Sequence, residues 1–298
     1  MRVWLEDTEV TGLCTRVTVD KAAAAAGAEA EIALVCAPMD SRLPRLDPAC
    51  GQWVAVRQGD DLLFSGRVEQ VSYDAARLAL TLLCYDPASL LAKNHCRGPY
   101  RGTPAEITRK LCRLCGLEPG EIWDGDGQEV VLGATCGRSC FRAICGLYDN
   151  GCVVEYSGGQ VNVFPIGQQR AVLNSGQLVG LTARNSAADA VTRLRVYNKG
   201  VLAAQCTDEE DSLQLGLRSR DEYRSLRYDT PEAQAQAGLR GVTRQARLIL
   251  TGRSPVRCGQ VVALDKPLMG VYGDYVVTQV TWKREKCLTT TELGVEGL

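Results

Sequence analysis

The amino-acid sequence predicts a β-rich α+β fold: two similar small β-barrels flanking a central α/β insert. Three observations carry this. Short apolar and alternating segments, separated by Gly and Asp turns, fill both ends of the chain. Two amphipathic helical segments and a hairpin lie between them. A stretch near the N-terminus recurs, in order, near the C-terminus. The predicted divisions are 1–92 for the first barrel, 93–180 for the insert, and 181–298 for a second barrel that also carries an Ala-rich helix.

In the first division, residues 16–20, 30–36, 53–57, 62–73 and 77–85 read as strands, with turns at Gly59-Asp60 and Asp74-Ala75. The alanine run 22–26 ends at Gly27 and is a loop or a helical turn. After Asp86 the pattern changes. Thr103-Pro104-Ala105-Glu106 opens a helix, with Thr as cap, Pro at the first helical position and Glu at the capping-box position. Ile107, Leu111, Leu114 and Cys115 give it an apolar stripe, and Gly116 stops it. A second helix starts near Ser139 with Phe141, Ile144, Cys145 and Tyr148 on one face. Residues 152–156 and 160–164 form a hairpin across Ser157-Gly158-Gly159. Strands resume at 178–184, 191–197 and 201–206. Thr230-Pro231-Glu232 opens the Ala-rich helix, and 244–251, 260–264, 275–282 and 288–293 close the chain as strands.

The repeat is specific in order. Cys50-Gly51-Gln52-Trp53-Val54-Ala55-Val56 matches Cys258-Gly259-Gln260-Val261-Val262-Ala263-Leu264, 208 residues on. Val68-Glu69-Gln70-Val71-Ser72-Tyr73 matches Val277-Thr278-Gln279-Val280-Thr281-Trp282 at 209, and residues 78–82 match 288–292 at 210. Trp53 and Val261 should therefore be equivalent, as should Tyr73 and Trp282. A meander of this kind leaves two open edges unless it closes, which predicts a barrel at each end.

Composition narrows the function. The 298 residues carry 34 basic against 35 acidic side chains, which argues against a basic nucleic-acid binder. No apolar run reaches the roughly 18 residues of a membrane helix, and the stretch from Met1 to Asp7 lacks the apolar core of a secretion signal. Fourteen cysteines are expected to be mostly reduced and to serve as small buried hydrophobes.

Several groups are candidates for chemistry. Cys112, Cys115, Cys136, Cys140 and Cys145 raise a zinc site, but Cys112 and Cys115 fall on the core stripe of a helix and the Cys136/Cys140 spacing is wrong for a knuckle. His95 is the single histidine and the one partner a nucleophilic Ser or Cys would have; it reads as a solvated loop residue. Glu118, Glu121, Asp124 and Asp126 raise a cell-wall hydrolase, yet nothing sets two carboxylates across a cleft. Residues 208–211 read as an exposed acidic turn. The nine arginines between Arg218 and Arg257 read as a solvated face, with a channel lining or an acidic partner as the other reading. No catalytic, cofactor or metal residue is assigned.

The chain resembles the baseplate hub proteins of contractile phage tails, in the form found in prophages of Gram-positive bacteria. These are related to the late control D proteins and to the hub part of type VI secretion spikes. The matching residues are Pro38-Met39-Asp40 with Leu43-Pro44, Gly51-Gln52-Trp53-Val54, Leu63-Phe64-Ser65-Gly66-Arg67-Val68 and Cys84-Tyr85-Asp86 with 90–94. Thr103-Pro104-Ala105-Glu106-Ile107, 191–197 and 270–278 complete them. The alanine run 22–26 departs from the polar stretch expected there. The resemblance implies a non-enzymatic homotrimer whose six barrels join a six-fold tail tube to a three-fold spike, with a tape-measure protein as a further partner. It implies a place in the virion tail baseplate, assembled in the host cytoplasm, and no cofactor. A hub of a phage-tail-like bacteriocin or injection system shares the fold. At least one barrel should offer strand edges or apolar surface to a neighbour.

Overall fold

The computed structural model describes residues 1–37, 39, 41, 46–133, 137–225, 228, 230–266, 271–286 and 288–298. Pro38, Asp40, Leu43, Pro44, Cys136 and Gly270 lie outside the described residues. In the first part of the chain, β1 is Arg2–Leu5, β2 Thr8–Glu9, β3 Cys14–Ala22, β4 Glu29–Val35, β5 Trp53–Gln58, β6 Asp61–Asp74 and β7 Ala79–Tyr85. The middle holds α1 (Leu90–Lys93), β8 (Tyr100–Gly102), α2 (Pro104–Leu114), β9 (Pro119–Ile122), β10 (Val130–Leu132), α3 (Cys140–Leu147), β11 (Cys152–Ser157) and β12 (Gln160–Pro165). Then come β13 (Arg170–Ala171), β14 (Leu178–Ser186), β15 (Arg193–Asn198), β16 (Val201–Thr207), α4 (Glu209–Leu215), β17 (Ser219–Tyr223) and α5 (Pro231–Ala237). Last are β18 (Thr243–Thr251), β19 (Val261–Lys266), β20 (Val271–Glu285) and β21 (Leu288–Gly297).

Both ends of the chain belong to one 13-stranded sheet. Its order is β14-β18-β21-β20-β3-β4-β7-β6-β5-β1-β2, with β19 and β13 branching from β20. The order contains the same five-stranded unit twice: β3-β4-β7-β6-β5 and β14-β18-β21-β20-β19. Registers prove the equivalence. Val54 faces Gly66 as Val262 faces Tyr275. Ile32 lies between Val17 and Leu82, as Leu248 lies between Leu181 and Leu293. A bulge interrupts the ladder at Glu69 in one unit and at Thr278 in the other. A second falls at Thr15 and Val179. Two bulges at matched positions are inherited features of one ancestral unit. Trp53 and Val261 occupy equivalent places, as do Tyr73 and Trp282.

The recurrent Cys-Gly-Gln has a local cause. Gly51 and Gly259 take φ of +92° and +82°, where a side chain would be strained. Each glutamine closes the turn behind it: Gln52 Oε1 accepts from Ala49 N–H, and Gln260 Oε1 from Arg257 N–H, both at 2.9 Å. Gly51 N–H and Gly259 N–H then donate to Val68 and Val277, which fixes where the next strand pairs.

Two expectations change. The third match is one residue out: Leu80 corresponds to Thr291 and Leu82 to Leu293. In a strand that shift exchanges inward and outward side chains. The two separate barrels are also not what the ladders draw. Among the described residues no ladder closes either unit. Instead β20 of the second pairs antiparallel with β3 of the first, Trp282 opposite Val19, and the units fuse into one curled sheet. One apolar core serves both, from Val3, Val17 and Ile32 to Leu248, Trp282 and Leu293.

The middle segment has its own core around Leu91, Ile107, Leu111, Cys140, Ile144 and Val161. The capping box of α2 is complete: Thr103 Oγ1 accepts from Glu106 N–H, and Glu106 Oε2 accepts from Thr103 N–H. In α3 Ile144 is buried as expected, and so is Tyr148 just past its end; Phe141 and Cys145 are half-buried, and Cys140 and Ala143 complete the inward face. Residues 23–28 are a loop rather than a helix. A third core, around Leu194, Val196 and Ala235, holds β15, β16 and α5 together between β14 and β18.

Trp282 is 6% exposed and its equivalent Tyr73 is 50% exposed. Trp282→Ala should cost about 3–5 kcal/mol. Tyr73→Ala in the isolated chain should cost about 1 kcal/mol or less. Urea unfolding of the two variants measures the difference.

Candidate functional site

The sheet core and the core of the middle segment meet at Lys21, near the end of β3. Its Nζ stands 3.1 Å from Glu155 Oε1 on β11 and 5.6 Å above the Trp282 ring on β20. Its carbonyl accepts from Cys258 Sγ at 3.2 Å. Beside it Asp86 is buried, with Oδ2 accepting from Ala28 N–H at 2.7 Å. Gly27 leaves room for this carboxyl: a Cβ there would stand 2.1 Å from Asp86 Oδ1. Burial pushes the Asp86 carboxyl up to about 6, against the opposing pull of the Ala28 hydrogen bond and of Lys21. The enclosed space here is about 30 Å³, room for a water and not for a metabolite. This junction joins parts of the chain, and a more open cavity of about 220 Å³ adjoins it, sharing Lys21, Glu155 and Trp282.

A larger open concavity of about 670 Å³ crosses the seam on the polar face of the sheet, lined by Asp20, Arg184, Arg247, Lys283 and Glu292 among others. Several of its charges are satisfied within it. Arg247 and Lys283 both bond Glu292; burial alone would raise that carboxyl, and the two cations hold it below the usual range. Asp20 Oδ1 accepts from Gln279 and Thr281 across the seam.

The sequence-predicted cysteines do converge in part. Cys112, Cys115 and Cys140 are all buried in the middle core, together with Cys96, which the sequence did not single out. Burial pushes Cys112 up to about 11 and Cys140 up to about 12, so they are thiols at neutral pH. Among the described residues no group of three or more His, Cys, Asp or Glu side chains is arranged to hold a metal ion. All twelve described cysteines are free. Cys50 is the exposed one, and Cys145 shares a hydrogen bond with Cys152.

The other candidates are dispersed. His95 is exposed and forms a single backbone bridge with Ser139. Glu118, Glu121, Asp124 and Asp126 are exposed, and Asp124 accepts from Thr103 Oγ1. Residues 208–211 are not a turn. Asp208 caps α4, and the next three acids form its first turn, where the helix dipole favours negative charge. The arginines of 218–257 are largely bound within the chain: Arg218 to Ala187 O, Arg224 to Tyr228 O, Arg244 to Leu298 O, Arg247 to Glu292 and Arg253 to Asp61.

No family model matches the sequence, and no curated protein matches it. Solved structures do. The 43 kDa tail protein of prophage MuSo2 from Shewanella oneidensis superposes with a TM-score of 0.77 at 14% identity, over 99% of this chain and 96% of that one. This chain has the fold of a prophage tail protein. Prophage tail protein gp18 from Listeria monocytogenes EGD-e gives 0.65 at 14% identity, over 99% and 94%. The E. coli protein c3393 gives 0.60 at 9% identity, over 99% and 76%. It is described as a type VI secretion component with structural similarity to the phage T4 tail proteins gp27 and gp5. The tail-protein fold thus spans essentially the whole chain.

Two outcomes follow from the buried groups. Asp86 holds its proton more tightly folded than unfolded, so stability should fall as pH rises from about 4 to about 6, by on the order of 2 kcal/mol. Asp86→Asn, which keeps an acceptor for Ala28, should flatten that slope in urea titrations run across the window. Of the described cysteines, Cys50 should react first with a thiol reagent at neutral pH. Cys84 and Cys140, both pushed up to about 12 by burial, should react only on unfolding.

Proposed function

We propose that the chain is a structural hub subunit in the baseplate of a phage-type contractile tail. Three copies would form a ring of six equivalent sheet units, matching a six-fold tail tube on one face and a three-fold spike on the other. The observation that carries this reading is the duplication: one chain presents the same five-stranded unit twice, with registers and bulges retained. A repeated unit in a trimer reconciles six-fold with three-fold symmetry, which a single unit per chain cannot do. The tail-protein fold supports a mechanical role over an enzymatic one. Its partners are then itself, the tube protein, the spike and a tape-measure protein. Its place is the virion tail, assembled in the host cytoplasm. The E. coli likeness favours keeping the hub of an injection system as the second reading.

We keep the three-domain division 1–92, 93–180 and 181–298 as the working description, with one refinement. Residues 187–242 form a separate small unit with its own core inside the last division.

Electron microscopy of assembled tails should find three copies at the tip; six copies, or none, would overturn the reading. The purified chain should give no clearing in a cell-wall zymogram, and lysis there would restore the hydrolase.

A further inference from the structure

The internal seam predicts the external one. On one edge of β20, β19 pairs along 271–276. The bulge at Thr278 follows, and β3 then pairs along 279–285. In the first unit β5 pairs along the same edge of β6 only up to Arg67. Beyond the equivalent bulge, residues 70–74 have no ladder on that edge among the described residues. The equivalent of β3 is β14, whose outer edge is likewise unpaired. Each half of the seam therefore exists a second time, open, at a different place on the sheet.

We propose that β14 of a second copy of this chain pairs antiparallel with residues 70–74 of β6, in the register that β3 takes on β20. The inference rests on the ring reading for the number of copies and deepens it by naming the joint. Carried over residue by residue, the seam pairs set Gln70 opposite Ser186, Val71 opposite Asn185, Ser72 opposite Arg184, Tyr73 opposite Ala183 and Asp74 opposite Thr182.

Burial agrees. Val19 and Val280, in the closed seam, are 0% and 1% exposed. Their equivalents Ala183 and Val71 are only half-buried, and Tyr73 stands half-exposed where Trp282 is covered. Charge agrees as well. Arg184 of one copy would face Ser72 and lie diagonal to Gln70 and Asp74 of the next, within reach of a long side chain. It would take the place that Asp20 holds against Gln279 and Thr281 in the internal seam. An open edge with apolar residues on its inner side is a template for another strand. The contact is head to tail, using two different patches, so its repetition gives a ring if the step closes.

Two singly substituted chains, Gln70→Cys and Ser186→Cys, are mixed at high concentration and oxidised with copper phenanthroline. Peptide mapping then quantifies the 70–186 disulfide. A Gln70→Cys and Asn185→Cys mixture is the control, because a one-residue slip turns the second thiol to the other face. The expected result is about tenfold more linkage in the first mixture. Equal or absent linkage, whether the sample is monomeric or trimeric by light scattering, overturns the pairing. In a trimer that result leaves the ring reading standing. Strong 70–186 linkage in a chain absent from tails keeps the pairing and overturns the hub. Tyr73→Lys with Ala183→Lys, both on open edges, should abolish self-association while the monomer keeps a cooperative thermal transition; self-association that survives this change counts against the joint.

Discussion

The structure depends on one strand pairing, between β3 and β20. It joins residues 16–22 to residues 279–285, nearly opposite ends of the chain. Without it there are two open sheets; with it there is one sheet over one core. Trp282 is buried because Val19 lies opposite, and Asp20 has acceptors filled because Gln279 and Thr281 come within reach. The middle segment is fixed to the same place. Glu155 meets Lys21 there, and Gly167 N–H donates to Gly259 O on the turn that precedes β19. A contact this remote in sequence carries a large loop-closure cost. Each unit and the middle segment therefore have to supply their own local pairings before the seam can form.

Much of this was legible in the sequence, for identifiable reasons. Helices α2 and α5 announce themselves because Thr caps, Pro and Glu act within one turn of the chain. The duplication shows because a glycine with positive φ and a glutamine that closes the same turn are both required in each copy. The junction at Lys21 was not legible. Its residues come from five separate segments, and neither Lys21 nor Glu155 differs in pattern from a surface residue. β1, β13 and β17 were missed because each is short and gains its strand geometry from a neighbour rather than from its own alternation. The closed barrels were over-read for a related reason. Alternation tells which face of a strand is buried and is silent on what lies beside its edge. A strand pattern that closes on itself and one that pairs with a sister unit are the same pattern.

The acids and arginines teach the same lesson about charge. Read along the sequence, residues 208–211 are an acidic run and 218–257 a basic one. In the fold the acids sit on a helix N-terminus, and the arginines reach carbonyls and carboxylates from distant segments.

The two units are equal in the sheet and unequal outside it. In the first, β3 and β4 are joined by a short loop, residues 23–28; in the second, β14 and β18 enclose residues 187–242 with their own core. The middle segment follows only the first unit. Duplication kept the strands, their registers and both bulges, and let the connections diverge. On the proposed reading that division has a physical use. Identical sheets can repeat six times around a ring because each presents the same edges. The unequal connections repeat only three times, so they can distinguish three positions from six. A protein that must meet both symmetries needs its conserved geometry in the ladder and its differences in the loops, and this chain places them there.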